Sequence, residues 1–260
     1  MEELYIPFLI CLISFIASVL TFFSGFGLGT MLLPVFCLFM PVELAVLATA
    51  VVHLLNNVLK FFLIRKMIDK SVLFSFGIAA VCAAFIGALV QDYLGAEGEL
   101  YQLSFSSYIG EVKLLSLVIG ILMIGFAILD FIPWSKNLSF RRGQFFIGGL
   151  LSGFFGGLSG HQGAFRAAFL SKSNLSTDVF ISTSVCLSLL IDMVRIPVYL
   201  NSNHGTLENF WQTIVLACIC AFLGSFIGKR LFTKRKVKNV RLIVAVFLLS
   251  MGTGMILGFL

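Results

Sequence analysis

Gly156-Gly157-Leu158-Ser159-Gly160-His161-Gln162-Gly163-Ala164-Phe165-Arg166 interrupts an otherwise apolar stretch just past the middle of a 260-residue chain. Its glycines weaken a helix, by about 1 kcal/mol each against alanine, and allow tight turns that a Cβ would block. Apolar sequence leads into the break from about residue 143, and only some ten residues follow it before Lys172. At a rise of about 1.5 Å per residue that piece spans about 15 Å, half of the roughly 30 Å of hydrocarbon in a bilayer. A hairpin that enters lipid, turns on glycine and returns to its starting side fits this length. A pair of full spans is the alternative.

The flanking sequence belongs in lipid. The whole chain is 59% hydrophobic and 12% charged, with a mean hydropathy of +1.06, beyond the composition of a soluble domain. Runs at 5–23, 72–90, 114–129, 211–227 and 242–260 carry few or no charges, and they lack the period-2 alternation of barrel strands. The first run follows Glu2 and Glu3 rather than a basic flank and has no small-residue cleavage site, so it reads as structure and not as a signal peptide.

Basic residues gather in three connections: Arg65, Lys66 and Lys70; Lys136, Arg141 and Arg142; and Lys229 through Arg241. The positive-inside rule makes these cytoplasmic. The net charge of +6 is thereby a matter of membrane orientation, and nucleic acid is not an expected partner. Acidic residues such as Glu43, Asp92, Glu97, Glu99 and Glu208 lie in the outward connections. Six spans follow, at about 43–64, 71–92, 112–131, 176–200, 209–229 and 240–259. The regions 5–41 and 143–174 must then each cross an even number of times. Both chain termini are expected on the outer face of the cell's inner (plasma) membrane.

The region 5–41 has its own break, Ser24-Gly25-Phe26-Gly27-Leu28-Gly29. An offset of 134 places Gly29 on Gly163 and Thr49 on Thr183, with Asn56-Asn57 beside Asp192. Each half reads as a glycine-tipped hairpin plus three spans, and an odd number of full spans turns the second copy upside down. The expected architecture is an all-α polytopic membrane protein of two inverted repeats, 1–132 and 133–260. Broken helices that meet at the bilayer midplane are how many secondary transporters build a binding site, and the free N–H groups at such breaks attract anions.

The first break and the segment after it, Ser24-Gly-Phe-Gly-Leu-Gly-Thr-Met-Leu-Leu-Pro34 and Leu47-Ala-Thr-Ala-Val-Val-His-Leu-Leu-Asn-Asn57, resemble the sulfite exporter TauE/SafE family of bacterial transporters. The second signature departs from the family pattern: Gly160-His161-Gln162-Gly163 replaces a plainer glycine cluster, and Ala168 stands where the proline would be. The resemblance implies a carrier of sulfite, sulfonates or related organosulfur anions, and it implies no cofactor.

Polar residues inside apolar runs mark the candidate site. Arg166, whose guanidinium fork suits the oxygens of a sulfur oxyanion, costs about 2.5–3.5 kcal/mol near the bilayer centre unless it meets a partner. An ion pair with Asp192 is the structural alternative. His161 and Gln162, on the second tip, can donate to an anion. Gly25, Gly27, Gly29, Gly160 and Gly163 offer backbone, and Thr49, Asn56 and Asn57 either touch substrate or join helices. Asp192 and Arg195, at i and i+3, read as a structural pair, with proton coupling through Asp192 as the sharper reading. Lys60 is expected to snorkel toward the cytoplasmic face.

Two other functions compete. Gly157-Leu158-Ser159-Gly160 matches the Gly-x-Ser-Gly of rhomboid proteases, but His161, two residues from Ser159 on a turn, is expected to be poorly placed as its base. A passive anion channel would use the same positive tips. The six cysteines fall in apolar runs and read as buried small hydrophobes; with three scattered histidines they give no metal-ligand spacing. The expected partners are a small anion and the bilayer, with self-association and a coupling proton left open.

Overall fold

The computed structural model describes residues 2–22, 28–64, 68–105, 108–131, 142–170, 175–202, 207–231 and 240–260. The first half contains α1 (Glu2–Thr21), α2 (Leu28–Cys37), α3 (Val42–Ile64), α4 (Lys70–Ala96), strands β1 (Glu99–Phe105) and β2 (Tyr108–Lys113), and α5 (Leu114–Phe131). The second contains α6 (Phe145–Ser159), α7 (Gln162–Leu170), α8 (Thr177–Leu200), α9 (Trp211–Leu231) and α10 (Val240–Ile256). The fold is an all-α membrane bundle apart from the β1–β2 hairpin. That antiparallel pair lies in the connection carrying Glu97, Glu99 and Glu111, which the sequence reading leaves without structure. Tyr101 in β1 and Val112 in β2 are residue types that favour strands.

Helices begin and end where local chemistry dictates. Asp69 caps α4 by accepting from the Val72 N–H, and Ser176 caps α8 by accepting from Val179. α6 stops at Gly160, whose φ of +79° is left-handed and whose N–H returns to the Gly156 carbonyl. α3, α4, α8 and α9 are long and apolar enough to cross a membrane. α5 and α10, expected as full spans, are shorter, at 18 and 17 residues.

Glycine decides how closely the long helices approach. A Cβ on Gly87 of α4 would sit 2.2 Å from the Phe154 carbonyl oxygen of α6, and one on Gly224 of α9 would sit 2.5 Å from the Phe15 carbonyl oxygen of α1. Gly153 and Gly157 of α6 meet the Ala80 and Ala84 carbonyls of α4 at 2.1 Å in the same sense. α6 therefore runs parallel to α4, and α1 parallel to α9. α3 and α8 run antiparallel: His53 meets Asp192, while the Ile64 carbonyl accepts from Ser182. Close approach through small residues is the usual means of packing helices in lipid.

α7 doubles back along α6. Phe169 packs against Gly148 near the start of α6, and Gln162 packs against Gly156 near its end. Ser152 fastens the two by donating to the Gln162 carbonyl at 2.7 Å. α2 is buried along its whole length.

The bundle is apolar outside and polar within. Phe8, Phe62, Phe74, Ile78, Phe85 and Phe146 are among the exposed side chains, while Arg166, Arg195 and Asp192 are 0–1% exposed. Lipid is the solvent that accepts such a surface. The cysteines are all free thiols, but only Cys37 and Cys218 are buried; Cys82 is on the exposed face of α4, so the expectation of burial fails there.

Candidate functional site

Two facing polar stripes form the centre of the site. Along α3, Thr49, His53, Asn56, Asn57 and Lys60 recur at helical spacing, and along α8, Ser184, Ser188, Asp192, Arg195 and Tyr199 do the same. All are buried.

Asp192 is the hub. Its Oδ2 lies 2.6 Å from His53 Nδ1, and its Oδ1 accepts from Gln162 Nε2 at 3.0 Å and from Arg195 Nε at 2.9 Å. Arg195 Nη2 adds an ion-pair contact at 2.8 Å. A buried carboxylate is tolerated only with this degree of satisfaction, since an uncompensated charge costs several kcal/mol. The structural pairing expected of Asp192 and Arg195 is present. His53, the third partner, stands out in sequence as a polar residue within about one turn of Asn56 and Asn57, and its spacing from Asn57 (i to i+4) places it on the same face, but sequence alone does not pair it with Asp192. The Asn57 amide sits against the His53 ring, 3.1 and 3.2 Å from its two nitrogens.

Arg166 is the fifth of nine residues in α7, three residues past Gly163. Its Nη1 donates to Gln162 Oε1 at 3.2 Å. Gln162 uses its NH2 on Asp192, so its oxygen must face Arg166, and one amide relays the guanidinium to the carboxylate. Arg166 thus reaches Asp192 through Gln162.

The second tip is braced by α8. Arg195 Nη1 donates to the Gly156 carbonyl at 3.1 Å, adding to the bond that this carbonyl already accepts from the Gly160 N–H, and the Tyr199 hydroxyl donates to the Gly157 carbonyl at the end of α6. A Cβ on Gly160 would lie 3.1 Å from Arg195 Nη1. Gly163 is buried within the first turn of α7.

The two breaks meet. A Cβ built on Gly29, in the first turn of α2, would be 3.5 Å from Thr49 Cγ2, 3.7 Å from His53 Cδ2 and 3.8 Å from the Gly160 carbonyl oxygen. Gly25 and Gly27 lie outside the described residues. Thr49 Oγ1, Asn56 Nδ2 and His161 Nε2 are buried and have no hydrogen-bond partner among the described residues. Such atoms cost stability unless a ligand or water meets them. Asn56 Oδ1 accepts from Ser225 at 2.8 Å, and Ser225 is 2.8 Å from Ser18, a chain that joins α3 to α9 and α1. Asn56 therefore serves at least to hold helices together.

His161 corrects one expectation. The left-handed turn at Gly160 brings its Nδ1 to 3.0 Å from Ser159 Oγ, within hydrogen-bond reach. The same nitrogen lies 3.1 Å from the Ser159 carbonyl oxygen, which can only accept, so Nδ1 carries a proton and is no base for Ser159. The Ser159 hydroxyl itself donates to the Phe155 carbonyl at 3.1 Å. The imidazole stacks on Phe126 with ring centroids 5.0 Å apart. Lys60 also departs from expectation. It is 5% exposed, and its Nζ lies 5.5 Å from the Phe22 ring centroid.

A polytopic helical bundle with exposed apolar helices and a buried, cation-rich seam at a double break is a multi-pass membrane protein of the transporter class. The profile of the family described as sulfite exporter TauE/SafE matches residues 10–255, and the chain belongs to that family. No curated protein and no solved structure matches it.

Proposed function

We propose that this protein is a secondary carrier that moves a small sulfur-containing anion, such as sulfite or a sulfonate, across the bacterial inner membrane by alternating access. The observation that carries the reading is the junction of the two breaks, where Gly29, Thr49 and His53 from one half meet Gly160 from the other, with the Gln162–Arg166 relay starting two residues further on. Arg166, His161, Gln162 and the glycine backbone supply the donors for the anion. Thr49 and Asn57 line the opposite side.

Inverted repeats at 1–132 and 133–260 are supported by the packing. α3 pairs with its counterpart α8, and the pair is antiparallel, as an axis in the membrane plane requires. The approach of Gly87 to Phe154 has its mirror in that of Gly224 to Phe15. A re-entrant hairpin is supported by α6 and α7, of 15 and nine residues. The first covers about 22 Å, short of the hydrocarbon thickness, and the second returns along it. Both termini are then outside.

Counterflow in proteoliposomes tests the proposal. Unlabelled sulfite or sulfonate preloaded inside should accelerate uptake of the labelled anion. Uptake that is fast but indifferent to preloading would mean a channel.

A further inference from the structure

Lys60 is a buried cation that nothing in the described structure answers. It is 5% exposed, has no hydrogen bond or ion pair among the described residues, and lies with its Nζ 5.5 Å from the centroid of the Phe22 ring. A ring face offsets only a fraction of what burying an ammonium costs. An apolar bundle keeps such a lysine at a loss unless a ligand meets it.

Contacts fix where Lys60 stands, because α1, α3 and α9 meet at two successive levels. At the first, Ser18 of α1, Ser225 of α9 and Asn56 of α3 are joined by hydrogen bonds of 2.8 Å. At the second, one turn on, Phe22 at the end of α1 packs on Gly228 of α9, where an added Cβ would lie 3.0 Å from the Phe22 Cβ. Lys60 of α3 covers the same ring. Asn56 and Lys60 are i and i+4 on one helix face, with about 5–6 Å between their Cβ atoms. Asn56 spends its Oδ1 on Ser225, which leaves its Nδ2 as a buried donor without a partner among the described residues. An ammonium and an amide N–H thus stand one turn apart, close enough for one small oxyanion to accept from both.

This pair is separate from the junction of the breaks. Lys60 follows Thr49, which lines that junction beside Gly29, by 11 residues, or about 16 Å along the helix. One small anion does not span that distance. Lys60 lies on the side of the junction that leads to Arg65 and Lys66, the cytoplasmic side by the positive-inside rule. Leu63, three residues further on, already accepts from the exposed Lys229.

We infer that Lys60 and Asn56 form a second oxyanion site, a station for the transported anion between the junction of the breaks and the cytoplasmic face. The inference rests on the carrier reading for the identity of the anion and deepens it. Lys60 supplies charge, and Asn56 supplies a directional N–H. A phospholipid headgroup carries the same oxyanion chemistry, and the test separates the two sources.

Equilibrium binding of radiolabelled thiosulfate is measured on the purified full-length protein in detergent and chloride-free buffer, with phospholipid phosphorus assayed in the same samples. Wild type should bind two equivalents per chain. Lys60→Met should bind one, and that remaining equivalent shows that the variant is folded. Asn56→Asp keeps an acceptor for Ser225 but sets a carboxylate one turn from Lys60, and it should also bind one. Lys60→Arg, which keeps the charge, should keep both. Arg166→Ala should weaken the other equivalent and spare the one that depends on Lys60. A single equivalent in wild type, weakened by Arg166→Ala and unchanged in Lys60→Met, would overturn the second site and leave the carrier reading standing. A single equivalent that both variants weaken would mean one shared site and would overturn it too. Loss of both equivalents in Lys60→Met, with Lys60→Arg no better, would make Lys60 structural and sink the inference. One phospholipid per chain that is present in wild type and lost in Lys60→Met would assign the ammonium to a headgroup and overturn the station. If wild type binds no thiosulfate, the carrier reading fails with the inference.

Discussion

His53 and Asp192 are 139 residues apart in the chain and 2.6 Å apart in space, and their contact ties the third helix of one half to the third helix of the other. Arg195, on the same helix as Asp192, holds the other carboxylate oxygen. The carboxylate therefore belongs to both halves at once, and any rearrangement between α3 and α8 must alter its surroundings.

Asp192→Asn should be strongly destabilising. The change leaves Arg195 buried without its counter-charge, and breaking one side of a buried pair costs about 3–5 kcal/mol. Thermal unfolding in detergent should fall sharply for Asp192→Asn and much less for the double variant Asp192→Asn with Arg195→Gln, in which no bare charge remains. Equal melting temperatures for wild type and Asp192→Asn would show that the hub has no structural weight.

Glycine substitutions should separate packing from binding. Gly157→Ala places a Cβ 2.1 Å from the Ala84 carbonyl oxygen, a backbone atom that cannot swing aside, so α4 and α6 must part. A loss of about 1–3 kcal/mol in stability is expected, as for other overpacked sites. At Gly29 the nearest atom would be 3.5 Å away, an ordinary contact. Gly29→Ala should therefore fold normally, and a change in its transport would report on the site alone.

The contribution of Arg166 is expected in affinity. Arg166→Ala should weaken anion binding by about tenfold to a hundredfold, the range of a charge-assisted hydrogen bond. Ser159→Ala, seven residues earlier at the end of α6, should transport normally. The opposite pair of results would point to chemistry at Ser159.

A pH dependence follows from the tautomer of His161. With Nδ1–H on the Ser159 carbonyl, the neutral ring presents a lone pair at Nε2 and repels an anion. Contact with the anion at Nε2 requires the imidazolium. The surrounding charge is Arg195, with Phe126 on the ring face, so an anion is the natural stabiliser of that form. Methanesulfonate keeps its charge at neutral pH, and its affinity should rise as pH falls from about 8 to about 6, approaching about tenfold per unit if one proton enters with each anion. In His161→Gln, whose amide donates at any pH, the dependence should flatten. A wild-type affinity independent of pH would remove His161 from the binding shell.

Much of this fold is legible in the sequence because lipid makes strict demands. The expected spans at 43–64, 71–92 and 176–200 fall within two residues of the starts and four of the ends of α3, α4 and α8, since charge and length permit few other boundaries. The β1–β2 hairpin is not legible in this way, because it lies outside the apolar runs on which that reading depends. At the site, Arg166, Gln162 and Asp192 announce themselves as polar groups in apolar sequence. Their order does not: that Gln162 stands between Arg166 and Asp192 depends on α7 folding back, which spacing alone cannot reveal. The pairing of His53 is hidden for a related reason, since its partner Asp192 lies on another helix. The contact of Ser159 with His161 depends on one left-handed residue, Gly160.

The approach of α1 to α9 has a consequence for how the protein is made. Ser18 donates to the Ala221 carbonyl across 203 residues, so the face of α1 that packs on α9 has no partner there until nearly the whole chain has left the ribosome. At roughly 5–20 residues per second that is a wait of about 10–40 s. α4 receives α6 much sooner. The newborn N-terminal helix must therefore be sheltered, by the insertion machinery or by lipid, while later segments arrive. A product released early, for instance at residue 132, would leave uncovered the face of α1 that α9 packs on and the face of α4 that α6 packs on and would be a natural substrate for membrane proteolysis.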